Sequence, residues 1–197
     1  MILNDEEFRD ESVKCAAYLM SISARTAPKS KGEDDIKIVY ADGEDKDNLA
    51  NKMIEEGRRK IFKRDGENLK AASGVILLGV NGGKAIDLNC GACGYYDCNN
   101  FPPEEDRAEG RDYRGPNCAF KLLDLGIAIG SVAKLSSIFN VDNRVMYTVG
   151  STAREMGLIE GDVVIGIPLS SSGKNVFFDR LEEEKKKEKE QKEEKKE

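Results

Sequence analysis

Apolar and small residues recur at three- and four-residue steps near the N-terminus: Phe8, Ser12, Cys15, Leu19, Ile22 and Ser23. That spacing predicts a helix over 4–26 with this stripe buried, Cys15 included as a small core residue. Asn4 followed by Glu7 has the form of a capping box, and Pro28 stops the helix. A loop follows over 27–34 (APKSKGED). Residues 36–41 (IKIVYA) predict a strand closed by the Asp42-Gly43 turn. Leu49, Met53, Gly57 and Ile61 mark a second helix over about 46–62, and 66–73 can form a short one. Residues 75–80 (VILLGV) are continuously apolar over the length of a strand, as a strand buried on both faces would be. Asn81-Gly82-Gly83 then turns the chain.

The C-terminal half contains a helix over about 119–138. Leucine, isoleucine and small residues cover most of its circumference, and Lys121, Asp124 and Lys134 are its charges. Such a helix suits the centre of a fold or a subunit interface. Residues 139–147 form a polar loop or extended segment. A helix over 148–156 ends at Gly157, and 163–169 (VVIGIPL) is another buried strand. The expected class is α+β, a small sheet covered by helices. The expected domain spans 1–180 and is followed by a charged tail over 181–197.

Residues 88–118 break this pattern. They are rich in Cys, Gly, Asn, Pro and acidic residues and lack apolar periodicity. A structureless stretch of this length inside a domain needs an explanation. A bound metal cluster would supply one, as a core that the side chains do not provide.

Composition narrows the chemistry. The chain has no His, which removes Ser-His-Asp triads, Cys-His dyads and His-ligated zinc or haem. Its net charge of −6, without a basic stripe interleaved with aromatics, argues against nucleic acid. No apolar run is expected to span a membrane, which takes ~20 residues. The acidic start MILNDEEFRDES is unlike a secretory or mitochondrial leader, so the cytoplasm is the expected compartment. Residues 182–197 hold eight Glu and seven Lys, a charge run expected to carry no chemistry.

Five cysteines remain. Cys15 stands apart, while Cys90, Cys93, Cys98 and Cys118 follow the spacing C-x2-C-x4-C-x19-C. Iron–sulfur clusters need soft, anionic ligands, and thiolates supply them. Gly91 and Gly94 permit the positive φ values that wrapping a cluster requires. The order of spacings reverses the plant-type 2Fe–2S run and favours a 4Fe–4S cluster. Zinc normally uses two C-x2-4-C knuckles, and only one is present; zinc and redox thiols remain the alternatives. Tyr95 and Tyr96 could shield a cluster from solvent.

CGACGYYDC followed by GPNC resembles the four-cysteine domain of corrinoid iron–sulfur proteins and of membrane redox-complex subunits. With SISARTAPKSKG, GPNCAFKLLDLGIAIGSVAK, NVDNRVMYTVGSTAREMGL and GIPLSSSGKNVFFDR, the chain resembles a ferredoxin-domain-containing family of unknown function over about 4–180. That resemblance implies a cluster on Cys90, Cys93, Cys98 and Cys118. The scaffold is also similar to the flavin-dependent nitroreductase fold, through Arg25-Thr26-Ala27-Pro28-Lys29-Ser30, Met156-Gly157-Leu158 and Gly166-Ile167-Pro168. This second likeness implies FMN as a cofactor, with Arg25, Ser30 and Lys174 as phosphate contacts, and a homodimer packed through the 119–138 helix. The acidic start of the first helix departs from the Arg-rich start of nitroreductases. The expected function is electron transfer to or from a redox protein or small-molecule acceptor. The alternative is a non-catalytic module holding zinc.

Overall fold

The strand β2 (Gly74–Val80) is the centre of the structure, and all seven of its residues are buried. The structure is a computed structural model, and it describes residues 1–178. The charged tail over 181–197 therefore lies outside the described residues. β2 pairs antiparallel with β1 (Ile36–Ala41) on one side and β6 (Val163–Ser170) on the other. A two-residue strand, β5 (Asp142–Asn143), adds to the far side of β6, giving the order β1-β2-β6-β5. A continuous apolar run works in an antiparallel sheet here because helices cover both faces. Ile76, Leu78 and Val80 point toward one layer of helices, and Val75 and Leu77 toward the other.

The first layer is α1 (Asp5–Thr26) with α4 (Ala119–Phe139). The Glu7 carboxylate accepts from the Asn4 amide at 2.7 Å, closing the expected cap. The buried stripe of α1, however, is Val13, Ala17, Met20 and Ala24. Phe8, Leu19 and Ile22 are exposed, and so is Cys15. The helix carries two stripes with helical spacing. The one built of smaller side chains lets α1 and α4 approach each other and the sheet.

The second layer is α2 (Gly43–Glu56), α3 (Lys60–Lys70) and α5 (Tyr147–Glu155). The single helix expected over 46–62 is thus two helices. Gly57 adopts a left-handed φ of 45° and ends α2 one residue past Glu56. The spacing from Met53 to Ile61 runs through this break and does not mark one helix.

α4 also reverses an expectation. Its charged Lys121 and Asp124 are buried, while Leu122, Leu123 and Ile127 are exposed. With 21 residues and a mean hydropathy of 1.6 over an 18-residue window, it is by length and composition apolar enough to cross a membrane, contrary to the sequence expectation. Within the chain its Leu125, Ala128 and Val132 pack into the α1–sheet core.

Candidate metal centre

The segment from Asn81 to Cys118 leaves the end of β2 and returns at the start of α4. It contains two short 3-10 turns and a two-residue hairpin, β3 (Ala108–Glu109) with β4 (Arg114–Gly115). Its shape comes from local hydrogen bonds and from one buried arginine.

The first three cysteines lie on a tight wrap. Gly91 and Gly94 have φ values of 68° and 90°, as their proposed role requires, and Asp87 and Asn89 are also positive. The Gly94 amide donates to the Gly91 carbonyl at 3.0 Å, turning the chain around Cys93. Asn89 ties the wrap shut: its amide donates to Cys98 Sγ at 3.4 Å, and its Oδ1 accepts from the Cys98 amide at 3.1 Å. Hydrogen bonds to the sulfurs are among the features that set a cluster's potential. Asp97 caps the next turn by accepting from the Asn100 amide at 3.1 Å. Tyr95 meets Phe101 edge-on at 5.4 Å, whereas Tyr96 is 90% exposed and shields nothing.

Cys118 arrives from the other side. It is buried and precedes the first turn of α4, where unpaired amides favour an anion. Its own amide donates to the Gly82 carbonyl at 2.7 Å, which joins the two ends of the segment.

Arg107 holds the segment against the sheet. Its side chain is 1% exposed and donates to Asp162 at 2.9 Å, Glu104 at 3.0 Å and the Pro116 carbonyl at 3.2 Å. Burial alone would lower its pKa, but the hydrogen bonds it donates to Asp162 and Glu104 outweigh that and raise it. Asp162 also accepts from the Gly83 amide at 2.9 Å. A Cβ on Gly83 would sit 2.0 Å from the Arg107 guanidinium, and one on Gly82 would sit 2.2 Å from Asn117. The Gly82-Gly83 pair is therefore a platform for the segment as well as a turn.

All five cysteines are free. Among the described residues, no three His, Cys, Asp or Glu side chains stand close enough together to hold a metal ion. The four thiols nevertheless suit an iron–sulfur group in donor chemistry. They are soft, unpaired with one another, carried on two tethered strands of one segment, and supplied with a main-chain donor at Cys98.

Two of the three expected flavin contacts, Arg25 and Ser30, have partners within the chain. Arg25 donates to Asp34 at 2.7 Å and to the Ile36 carbonyl at 2.8 Å. The Ser30 amide and hydroxyl both donate to Asp124, at 2.9 and 2.8 Å. Lys29 caps the end of α1 by donating to the carbonyls of Ala24 and Arg25. The second carboxylate oxygen of Asp124 is buried without a partner, a poor neighbour for a phosphate. Lys174 is exposed, beyond β6. As placed, the Ser30 donors are taken by Asp124, while Arg25 commits its Nη1 to Asp34 and Ile36.

These contacts expose residues that the sequence left unread. Lys121, 0% exposed, pairs with Asp35 and lies 4.0 Å from Glu33, while Asp124 holds Ser30. Together they latch the first turns of α4, next to Cys118, onto the α1–β1 connection. The signal was present: charges in an otherwise apolar helix must be exposed or paired. The Asp35 carboxyl is held below its ordinary pKa, chiefly by the hydrogen bond from Lys121. A lowered carboxylate pKa adds stability above its unfolded value of about 3.9, and that stability is lost as pH falls through the lower folded value. The urea midpoint should therefore drop below about pH 4, and Asp35→Asn should flatten that part of the profile. An unchanged slope in the variant would show that the latch does not contribute.

Residues 114–180 match a family described as "Uncharacterized protein containing a ferredoxin domain". The matched part includes Cys118 and leaves Cys90, Cys93 and Cys98 outside. An uncharacterized protein of Archaeoglobus fulgidus is 48% identical over 186 residues, covering 93% of this chain and all of its own length. The chain belongs to this ferredoxin-domain family. Among solved structures, the nitroreductase CinD of Lactococcus lactis in complex with chloramphenicol superimposes with a TM-score of 0.55 at 13% identity, covering 91% of this chain and 85% of its own. An oxidoreductase containing FMN gives 0.53 at 16% identity, over 82% of this chain and 68% of its own. A nitroreductase family protein of Clostridium novyi gives 0.51 at 15% identity, over 79% and 73%. The fold is the nitroreductase fold.

Proposed function

We propose that this protein transfers electrons through one iron–sulfur cluster, of the 4Fe–4S type, held by Cys90, Cys93, Cys98 and Cys118. The observation that carries this reading is the segment itself: two glycines at positive φ around Cys93, an amide donating to Cys98 Sγ, and Cys118 fastened to Gly82 at the start of α4. When bound, such a cluster supplies reversible one-electron chemistry. The chain's own residues bind it and hold its segment in place: Asn89 orients Cys98, and Arg107 anchors the segment to Asp162. The electron's source or destination is a redox protein or a small-molecule acceptor, and the expected setting is the cytoplasm.

The test is analysis of iron, sulfide, zinc and flavin on protein purified without oxygen. The proposal expects about four iron and four sulfide per chain, with broad absorbance near ~400 nm that bleaches on reduction. One zinc per colourless chain would replace it with the zinc module. FMN released by acid would add a flavin, a second reading favoured by the fold it shares with an oxidoreductase containing FMN.

The same proposal includes a homodimer. Tyr18, Leu19 and Ile22 of α1 and Leu122, Leu123 and Ile127 of α4 are apolar side chains left in solvent by two helices that pack together. Exposed apolar side chains on two helices that pack together are a surface a second copy could cover. Leu123→Glu with Ile127→Glu should convert a dimer to a monomer in sedimentation equilibrium. A wild-type monomer, or a variant that stays dimeric, would refute this arrangement. Partition of the wild-type protein onto lipid vesicles would assign the face to a membrane instead.

A further inference from the structure

A cleft of about 470 Å3 opens where the cysteine-bearing segment meets the ends of β2 and β6. This volume falls within the ~300–1,000 Å3 usual for small-molecule sites. Lys84, Arg107, Arg114 and Arg154 line it, together with the carboxylates of Glu104 and Asp162. Glu109 stands beside it, paired with Arg154 at 2.8 Å. Cations therefore outnumber carboxylates in this one place on a chain whose net charge is −6.

The groups divide by burial. Arg107 and Asp162 form the floor, which is buried and committed to each other. Arg114 and Arg154 form the wall, and their partners Glu104 and Glu109 are 65% and 60% exposed. Ion pairs to carboxylates this exposed contribute little, about 0–1 kcal/mol, so an incoming anion can compete for the guanidinium groups of Arg114 and Arg154 while Arg107 still holds Glu104. Lys84 is exposed, with no hydrogen bond among the described residues and its charge felt at the Asp35 carboxylate. Guanidinium groups bind oxyanions in paired, planar fashion, and an ammonium adds an unconstrained charge.

We propose that this cleft binds a small metabolite carrying two or more negative charges on carboxylate or phosphate groups, held by Lys84, Arg114 and Arg154. The site does not depend on the iron–sulfur reading, because no cysteine lines it. Where both hold, the ligand lies on the segment that carries the thiols, the position a substrate or an anionic effector of electron transfer would need.

Calorimetric titration of the full chain, as purified, tests the site with succinate, inorganic phosphate and acetate at low salt. Succinate or phosphate should saturate a single site, and which of them binds tighter distinguishes a carboxylate ligand from a phosphate ligand. Acetate should not saturate, and raising salt should weaken binding. Lys84→Met, a change at an exposed side chain, should weaken binding at least about tenfold, and Arg114→Gln similarly. If Arg114→Gln fails to fold, Lys84→Met decides alone. Absence of saturation by both dianions up to ~10 mM, or wild-type affinity in Lys84→Met, overturns the proposal. Neither result bears on iron content, so the two readings stand or fall separately.

Discussion

Cys118→Ser is expected to strip the protein of at least about half its iron and sulfide while leaving the fold intact. A serine hydroxyl is a harder, far less acidic donor than a thiol and does not replace a cluster ligand in kind. The substitution is unusually clean at this position. Cys118 is the N-cap of α4, and serine is among the preferred residues for that role. Any loss of metal then cannot be ascribed to a weakened helix. Its amide bond to the Gly82 carbonyl is main-chain and survives the change. Serine at Cys90, Cys93 or Cys98 should have the same effect. Cys15→Ser, on the exposed face of α1, should leave iron and sulfide as in the wild type. Metal content unchanged in the Cys118 variant would remove that residue from the ligand set.

Arg107→Met should lower unfolding free energy by about 3–5 kcal/mol, the usual cost of breaking a buried ion pair from one side. The Asp162 side chain, 10% exposed, would keep its charge and lose its guanidinium. The Gly83 amide at 2.9 Å would remain as partial compensation, which places the expectation in the lower half of that range. Replacing both partners, with Asp162→Leu added to Arg107→Met, should cost less than the two single changes summed. The loss should be local as well as global, because Arg107 also grips the Pro116 carbonyl and Glu104. Limited proteolysis should cut the variant between residues 84 and 117 well ahead of the wild type. An unfolding free energy within about 1 kcal/mol of the wild type, with unchanged cleavage, would show that other contacts hold the segment.

Some parts of this molecule are legible in the amino-acid order alone. β2 announces itself because a strand covered on both faces must be apolar at every position. The positive φ of Gly91 and Gly94 is in keeping with glycine's freedom in the left-handed region, between cysteines separated by two and four residues. Other parts are hidden for a definite reason. Periodicity shows that a helix has a stripe, but α1 has two, and only the partner helix decides which is buried. Charges on a helix usually face solvent, so the pattern of α4 suggests an apolar face turned inward. Lys121 and Asp124 lie inside because Asp35 and Ser30, more than eighty residues earlier, reach them. Arg25 and Ser30 have the residue types of phosphate contacts, yet Asp34 and Asp124 already hold them.

Local chemistry thus marks most of the helices and strands, though not the break at Gly57, and singles out four thiols as candidate soft ligands, since spacing and side-chain type act over a few residues. The three-dimensional arrangement alone settles which faces are buried, which charges neutralise one another, and how Arg107 locks the cysteine segment to Asp162. Those outcomes depend on pairings between residues distant along the chain, and no short-range pattern encodes them.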